Sequence, residues 1–181
     1  AELKPSQTSM KLSNALGMAL SMIHPAKPLK AGGDLGGFIS SDLHIMDGHH
    51  RWVATAMIDP ALKCGGNYVS FPAKQLIPIL NAITVGRLNV PPTGGKTGSG
   101  GFDQFKNPGL MKKILKELMT NGNKPHLTAE EAKQAVQIFC KDNGKQPSME
   151  NAVELFMSNL SQLEFRTPEG APDRVDMPVI D

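Results

Sequence analysis

The sequence predicts an α/β (α+β) protein carrying a helical C-terminal extension, and three observations point there. Strand-like and helix-like segments alternate up to about residue 90. A Gly- and Pro-rich stretch, Pro91 to Gly101, then breaks the pattern with a composition that cannot bury apolar surface. Beyond it only helical periodicity follows. The expected division is a mixed unit over 1–90, a flexible Gly-rich loop over 91–107, a helical extension over 108–165 and a tail over 166–181.

Each element has its own signal. Leu3 to Gln7 suits the end of a strand entering a turn. Leu12, Leu16, Ala19, Leu20 and Ile23 fall on one face of a helix over 10–23, with Ser9 as its expected N-cap. His24-Pro25 stops it, because a residue before proline is pushed out of the helical region. Residues 25–37 read as a Gly/Pro-rich connection. Phe38-Ile39-Ser40 and Leu43 to Met46 then read as a hairpin around Ser41-Asp42. Asp47-Gly48 breaks the second strand, and His49 to Ile58 is helix-compatible up to Asp59-Pro60. A strand over Asn67 to Phe71 precedes a helix from about Lys74 to Arg87, with Pro78 near its first turn or kinking it.

Three further helices are expected near 108–120, 128–142 and 148–163. Thr128 with Glu131 makes a capping box for the second, which carries Ala132, Ala135, Val136 and Phe139 at helical spacing. Ser148 is the expected N-cap of the third, ahead of Ala152, Leu155, Phe156 and Leu160.

Bulk properties exclude several classes. The most apolar run, Leu12 to Ile23, is interrupted by Ser13, Asn14, Gly17 and Ser21, so no membrane span or membrane partner is expected. Cys64 and Cys140 lie far apart, without the spacing of a zinc ribbon or redox pair. With no secretory signal pattern at the start, the expected location is a reducing cytoplasm. A formal net charge of +2 neither demands nor excludes a nucleic-acid partner. Lys112, Lys113 and Lys116 are the local basic cluster, either a solvated helix face or a small basic stripe.

The chemistry concentrates in Asp47-Gly48-His49-His50-Arg51-Trp52. Placed between strand and helix, this segment aims the first free amides of the helix, on His49, His50 and Arg51, along a positive dipole end where an anion fits. Gly48 permits a left-handed turn and close approach of a ligand. Arg51 adds a planar fork suited to two phosphate oxygens, and the two histidines add donors that titrate near neutrality. Asp47 either N-caps the helix, accepting from the amide of His50, or holds a divalent metal that bridges to phosphate. His49 and His50 alone do not make a metal site, since adjacent helical residues diverge by about 100 degrees. Trp52 reads as a core residue.

Gly48-His49-His50-Arg51-Trp52 resembles the Gly-x-x-Arg-Trp box of the ParB/sulfiredoxin superfamily, and Asp47 to Arg51 is similar to the Asp-Gly-His-His-Arg form in ParB-like proteins, including free-serine kinases. The surrounding order fits over residues 2–90. A short strand ends in a turn containing Pro and Gln, here Lys4-Pro5-Ser6-Gln7, and a helix and a hairpin then deliver the box. The resemblance implies a small mixed sheet with helices, and a box that holds nucleotide phosphates, with Gln7 in the adjoining turn. Superfamily members include CTP-hydrolysing DNA partition clamps, ATP-dependent sulfinic acid reductases, ADP-dependent serine kinases and nucleases. Sulfiredoxins carry Cys at the position of His49, which removes the sulfinate chemistry here. Partition clamps carry Glu and Arg at the positions of His49 and His50, and the kinases' acidic residue falls near Gln7, which cannot take a proton.

Gly94-Gly95-Lys96-Thr97 imitates the end of a Walker A loop, but position 90, where its first glycine belongs, is Val90. Lys96 remains a candidate to close over a bound phosphate. The expectation is therefore a nucleotide-phosphate-binding protein, an ATPase with associated DNA nuclease activity. Gly48, His49, His50, Arg51, Gln7 and Lys96 would bind the phosphates of ATP or another nucleotide. His49, His50 and Asp47 are the catalytic candidates, and Asp47 the candidate ligand for Mg2+. A non-enzymatic module of partition type that grips DNA or a nucleotide, and a small-molecule kinase, are the alternatives.

Overall fold

The computed structural model of the chain describes residues 3–7, 10–89, 101–123 and 126–163. Four strands, β1 (Lys4–Pro5), β2 (Gly33–Ser40), β3 (His44–Ile45) and β4 (Cys64–Val69), form one mixed sheet in the order β1-β3-β2-β4. β1 runs parallel to β3, β2 antiparallel to β3, and β4 parallel to β2. Six α-helices are described: α1 (Leu12–Ile23), α2 (His49–Ile58), α3 (Ala73–Gly86), α4 (Pro108–Asn121), α5 (Ala129–Asp142) and α6 (Met149–Leu160). The protein is thus a mixed α/β fold, as the alternation of periods predicts.

Most helix boundaries follow the local signals. α1 ends at His24 as Pro25 requires, and α2 ends at Asp59 ahead of Pro60. Both predicted caps of the C-terminal helices form: Thr128 and Glu131 exchange their two hydrogen bonds, and the Ser148 hydroxyl accepts from the amide of Asn151. Three expectations need correcting. The N-cap of α1 is Lys11, with no side-chain bond, and Ser9 lies outside the described residues. β2 begins at Gly33, inside the stretch expected as connection, because backbone pairing of Gly33 with Cys64 needs no apolar side chains. β4 likewise starts at Cys64 instead of Asn67. Pro78 sits in the second turn of α3, inside the helix.

Residues 90–100, which include Lys96, and residues 164–181 lie outside the described set. Phe102–Lys106, expected as the end of the flexible loop, is a 3-10 turn whose Phe102 and Phe105 are buried. Two phenylalanines anchor it to the same hydrophobic cluster as the helices on either side. That cluster runs from Met10 and the α1 residue Leu12, through Val53 and Met57 in α2, to Met111, Leu115, Phe139 and Phe156 in α4 to α6. The helices of 108–160 therefore bury α1 and the back of α2 in one shared core. Trp52 is partly buried against this core, which matches its expected packing role.

Polar bonds fix the join. Asn159 of α6 donates through Nδ2 to the carbonyls of Met57 and Ile58, each at 2.8 Å, covering two of the orphan acceptors at the end of α2. His24 meets Gln134 at 3.0 Å, and Lys27 pairs with Glu131 at 2.7 Å. A second, smaller cluster of Met46, Ala73, Leu76 and Ile77 packs α3 against the sheet.

Candidate functional site

The turn that enters α2 is built on glycine. Gly48 is the N-cap, at φ 97 in the left-handed region, and has no side chain with which to cap the helix. Asp47 precedes the cap by one residue, and its Oδ1 accepts from the N–H of Gly48 at 2.8 Å. This corrects the expectation that Asp47 caps the helix through the amide of His50. The chain reverses at Gly48, so a carboxylate at 47 reaches only the first amide of the turn. Its side chain is left exposed.

Below the turn lies β2. A Cβ on Gly37 would collide with the backbone carbonyl of Asp47, and one on Gly36, at φ +67, would sit 2.5 Å from Nη1 of Arg51. Gly36-Gly37 thus forms a bare stretch of strand against which the turn and Arg51 pack. Nη1 of Arg51 donates to the carbonyl of Leu35 at 3.0 Å. That same carbonyl lies 3.4 Å from an ideal Cβ on Gly48, so the guanidinium is held beside the start of its own helix. One of its five N–H donors is used in this bond, and the group remains half-buried.

The two histidines face the other way, toward the segment joining β1 to α1. His49 is buried, and its Nε2 accepts the backbone N–H of Ser6 at 3.2 Å, with the Ser6 hydroxyl 3.1 Å away. The Ser6 hydroxyl donates its own hydrogen to the carbonyl of Ile45. His50 repeats the arrangement one residue on: Nε2 accepts the N–H of Lys11, the N-cap of α1, at 3.0 Å. A ring nitrogen that accepts an amide hydrogen carries no hydrogen of its own, so Nε2 is the acceptor in these two bonds. Burial, and then the Lys11 ammonium, push the His50 pKa below its ordinary value, against a smaller opposing pull from Asp47. The imidazoles expected to face a phosphate instead use Nε2 to hold the β1–α1 segment in place.

The structure therefore brings Asp47, Gly48, His49, His50 and Arg51 into one turn and sets Gln7, half-buried, on the segment that the histidines clamp. It also reveals participants that the sequence reading missed: the backbone N–H groups of Ser6 and Lys11, the carbonyl of Leu35 and the glycine pair at 36–37. Only the glycine pair carries a signal in the sequence, since adjacent glycines in a strand mark a close backbone approach.

A second polar cluster lies at the start of α3. Ser40 donates to Asp42 Oδ1 at 2.5 Å, and Asp42 accepts the amide of Ala73 at 2.9 Å. Nδ1 of buried His44 lies 3.3 Å from Asp42 Oδ2, but the approach lacks hydrogen-bond geometry, and neither ring nitrogen has a hydrogen-bond partner among the described residues. Burial raises the Asp42 pKa, yet the Ser40 hydroxyl, the Ala73 amide and His44 together outweigh it and hold the carboxyl below its ordinary value. Ser40 and His44 flank the short turn that carries Asp42, and that hairpin spacing is the signal for this cluster.

Among the described residues no three His, Cys, Asp or Glu side chains gather to hold one metal ion. No described helix is long and apolar enough to cross a membrane. Both cysteines are free thiols. Compared with protein-family models, curated proteins and solved structures, the chain matches none.

Proposed function

We propose that the chain binds a nucleotide by its phosphates at the start of α2 and hydrolyses it, as an ATPase with an associated DNA-cleaving activity. The observation that carries this reading is the left-handed cap at Gly48, a residue with no side chain of its own, with Arg51 held beside the same turn. The first turn of a helix carries amide donors and the positive end of the helix dipole, which favour an anion. The N–H groups that Arg51 does not spend on Leu35 supply a second set of donors, suited to neighbouring phosphate oxygens.

Hydrolysis by water asks for positioning and charge stabilisation rather than a protein nucleophile. Arg51 and the amides meet the charge. His49 and His50, by clamping the segment that carries Gln7, keep one wall of the site in register with the helix start. Asp47 fits Mg2+, because this ion is commonly held by one or two carboxylates together with phosphate oxygens and water. Mg2+ would neutralise charge on the phosphates. The DNA-cleaving part of the reading draws its support from the resemblance of the box to ParB-like proteins.

Thermal denaturation with ATP, ADP, CTP or GTP, each with and without Mg2+, tests the reading. A nucleotide present at a hundredfold its Kd adds about 2.7 kcal/mol, which for a chain of this size is a Tm rise of roughly 5–10 °C. Arg51→Ala should abolish the rise, and release of inorganic phosphate should accompany binding. No rise with any nucleotide, or a full rise in Arg51→Ala, sinks the proposal.

A further inference from the structure

We propose that a groove along α4, walled by α5 and the first residue of α6, docks an acidic amphipathic peptide segment of a partner protein. The groove has a volume of about 620 Å3 and is lined by Lys112, Lys113, Lys116 and Met119 of α4, Lys133 of α5 and Met149 of α6. None of these residues belongs to the α2 turn or to the sheet. The sequence groups only the first three lysines; the fold adds a fourth from a different helix and an apolar floor between them.

The chemistry of the lining specifies the occupant. Four lysine side chains line one concavity, and two of them already take a carboxylate. Lys112 pairs with Glu150 at 2.8 Å and Lys133 approaches Glu130 at 3.8 Å. All four side chains in those pairs are largely exposed, so the pairs are weak and open to exchange with an incoming carboxylate. Lys113 and Lys116 make no ion pair among the described residues. Between the charges, Met119 and Met149 are partly buried, flexible thioethers of the kind that adapt to an apolar partner surface. Cationic rim and methionine floor together are the complement of a helix with apolar residues on one stripe and Glu or Asp beside it.

Other ligands fit less well. The lining holds no aromatic ring on which a base could stack and no arginine for a bidentate phosphate contact. From Gly109 to Thr120 the groove follows α4 for roughly 16 Å at the helical rise per residue. An elongated trough of this kind accommodates a few turns of peptide helix along its length.

The test is fluorescence anisotropy of a labelled synthetic helical peptide of roughly four turns, with leucines on one stripe and glutamates flanking them, titrated with the full chain. Saturable binding is expected. The double variant Lys113→Glu, Lys116→Glu should weaken it about tenfold or more, while Lys63→Glu, outside the groove, should leave it unchanged. Both groove lysines are exposed, so the fold should survive the exchange, and circular dichroism checks this. Replacing the peptide's leucines by serine should also weaken binding severalfold, which separates docking from charge attraction alone. The proposal is overturned by absence of saturable binding, by equal binding of a peptide with lysines in place of the glutamates, by an unchanged affinity in the double variant, or by displacement of the peptide by a single-stranded DNA of equal charge.

Discussion

Nε2 of His49 accepts the backbone hydrogen of Ser6 at 3.2 Å, tying the start of α2 to the end of β1 across 43 residues of sequence. His50 makes the matching bond to Lys11. Two adjacent side chains thereby hold both ends of the segment that enters α1. His50 accepts only as a neutral ring, so its tie to Lys11 is coupled to pH.

The His50 pKa is lowered in the folded chain, by burial first and then by Lys11. Its neutral state is therefore favoured by folding. Above the unfolded value of 6.5 both states are neutral and the contribution is complete. As pH falls below 6.5 the unfolded chain takes up the proton first, so stability declines until the folded pKa is passed. His50→Gln, which keeps an acceptor without titrating, should flatten this decline when denaturation midpoints are compared at about pH 7.5 and pH 5.5. An unchanged slope would show that the Lys11 bond carries no proton linkage.

Glu131 acts in a lower window. The Lys27 ammonium, and then the amide of Thr128, push its carboxyl down to about 2 from 4.5. A depressed carboxyl contributes stability above its unfolded pKa and loses it as pH falls from 4.5 toward 2. Glu131→Gln retains the cap acceptor but removes the charge. Acid unfolding followed by circular dichroism should then show a shallower loss in that window, with the His50 window untouched.

The glycine pair under the turn should tolerate substitution unequally. Gly36→Ala places a side chain at positive φ, which costs about 1–2 kcal/mol, and displaces the far end of Arg51, a flexible group. A Tm lower by a few degrees and a weakened nucleotide response are expected. Gly37→Ala meets the backbone of Asp47, which cannot move without taking the turn with it. That variant should lose most of its stability in the same thermal scan. Equal Tm values for the two variants would contradict the packing.

Asn159 joins the helical layer to the helix that carries the box. Asn159→Ala leaves the carbonyls of Met57 and Ile58 without their donor and should destabilise by about 1–3 kcal/mol. Asn159→Asp, of the same shape, should be worse, because a carboxylate oxygen would face two carbonyl oxygens. Urea midpoints of the three proteins rank the effect, and a variant order of Asp above Ala would count against it.

Local chemistry was legible wherever a residue's partner is near in sequence. The Thr128–Glu131 box, the Ser148 cap, the stop at Pro25 and the turn at Gly48 are all bonds or dihedrals set within four residues, so composition and spacing suffice to place them. The Asp47 cap misled because Asp and Gly are both frequent at helix starts, and only the dihedrals at 48 decide which of them is the cap. The start of β2 at Gly33 was hidden for a related reason: a glycine strand has no side-chain alternation to read.

The sequence by itself determined the helices, the caps of α5 and α6 and the one turn where Asp, Gly, two His and Arg adjoin, because short-range sterics and apolar periodicity act within a few residues. Only the tertiary structure decided what those residues touch. Ser6 and Lys11 meet His49 and His50 through backbone hydrogens, which every residue except proline possesses, so no sequence pattern announces these bonds. Arg51 reaches the carbonyl of Leu35, and Lys133 joins the lysines of α4, through a strand order and a shared core set by long-range packing. Spacing along the chain does not encode such meetings.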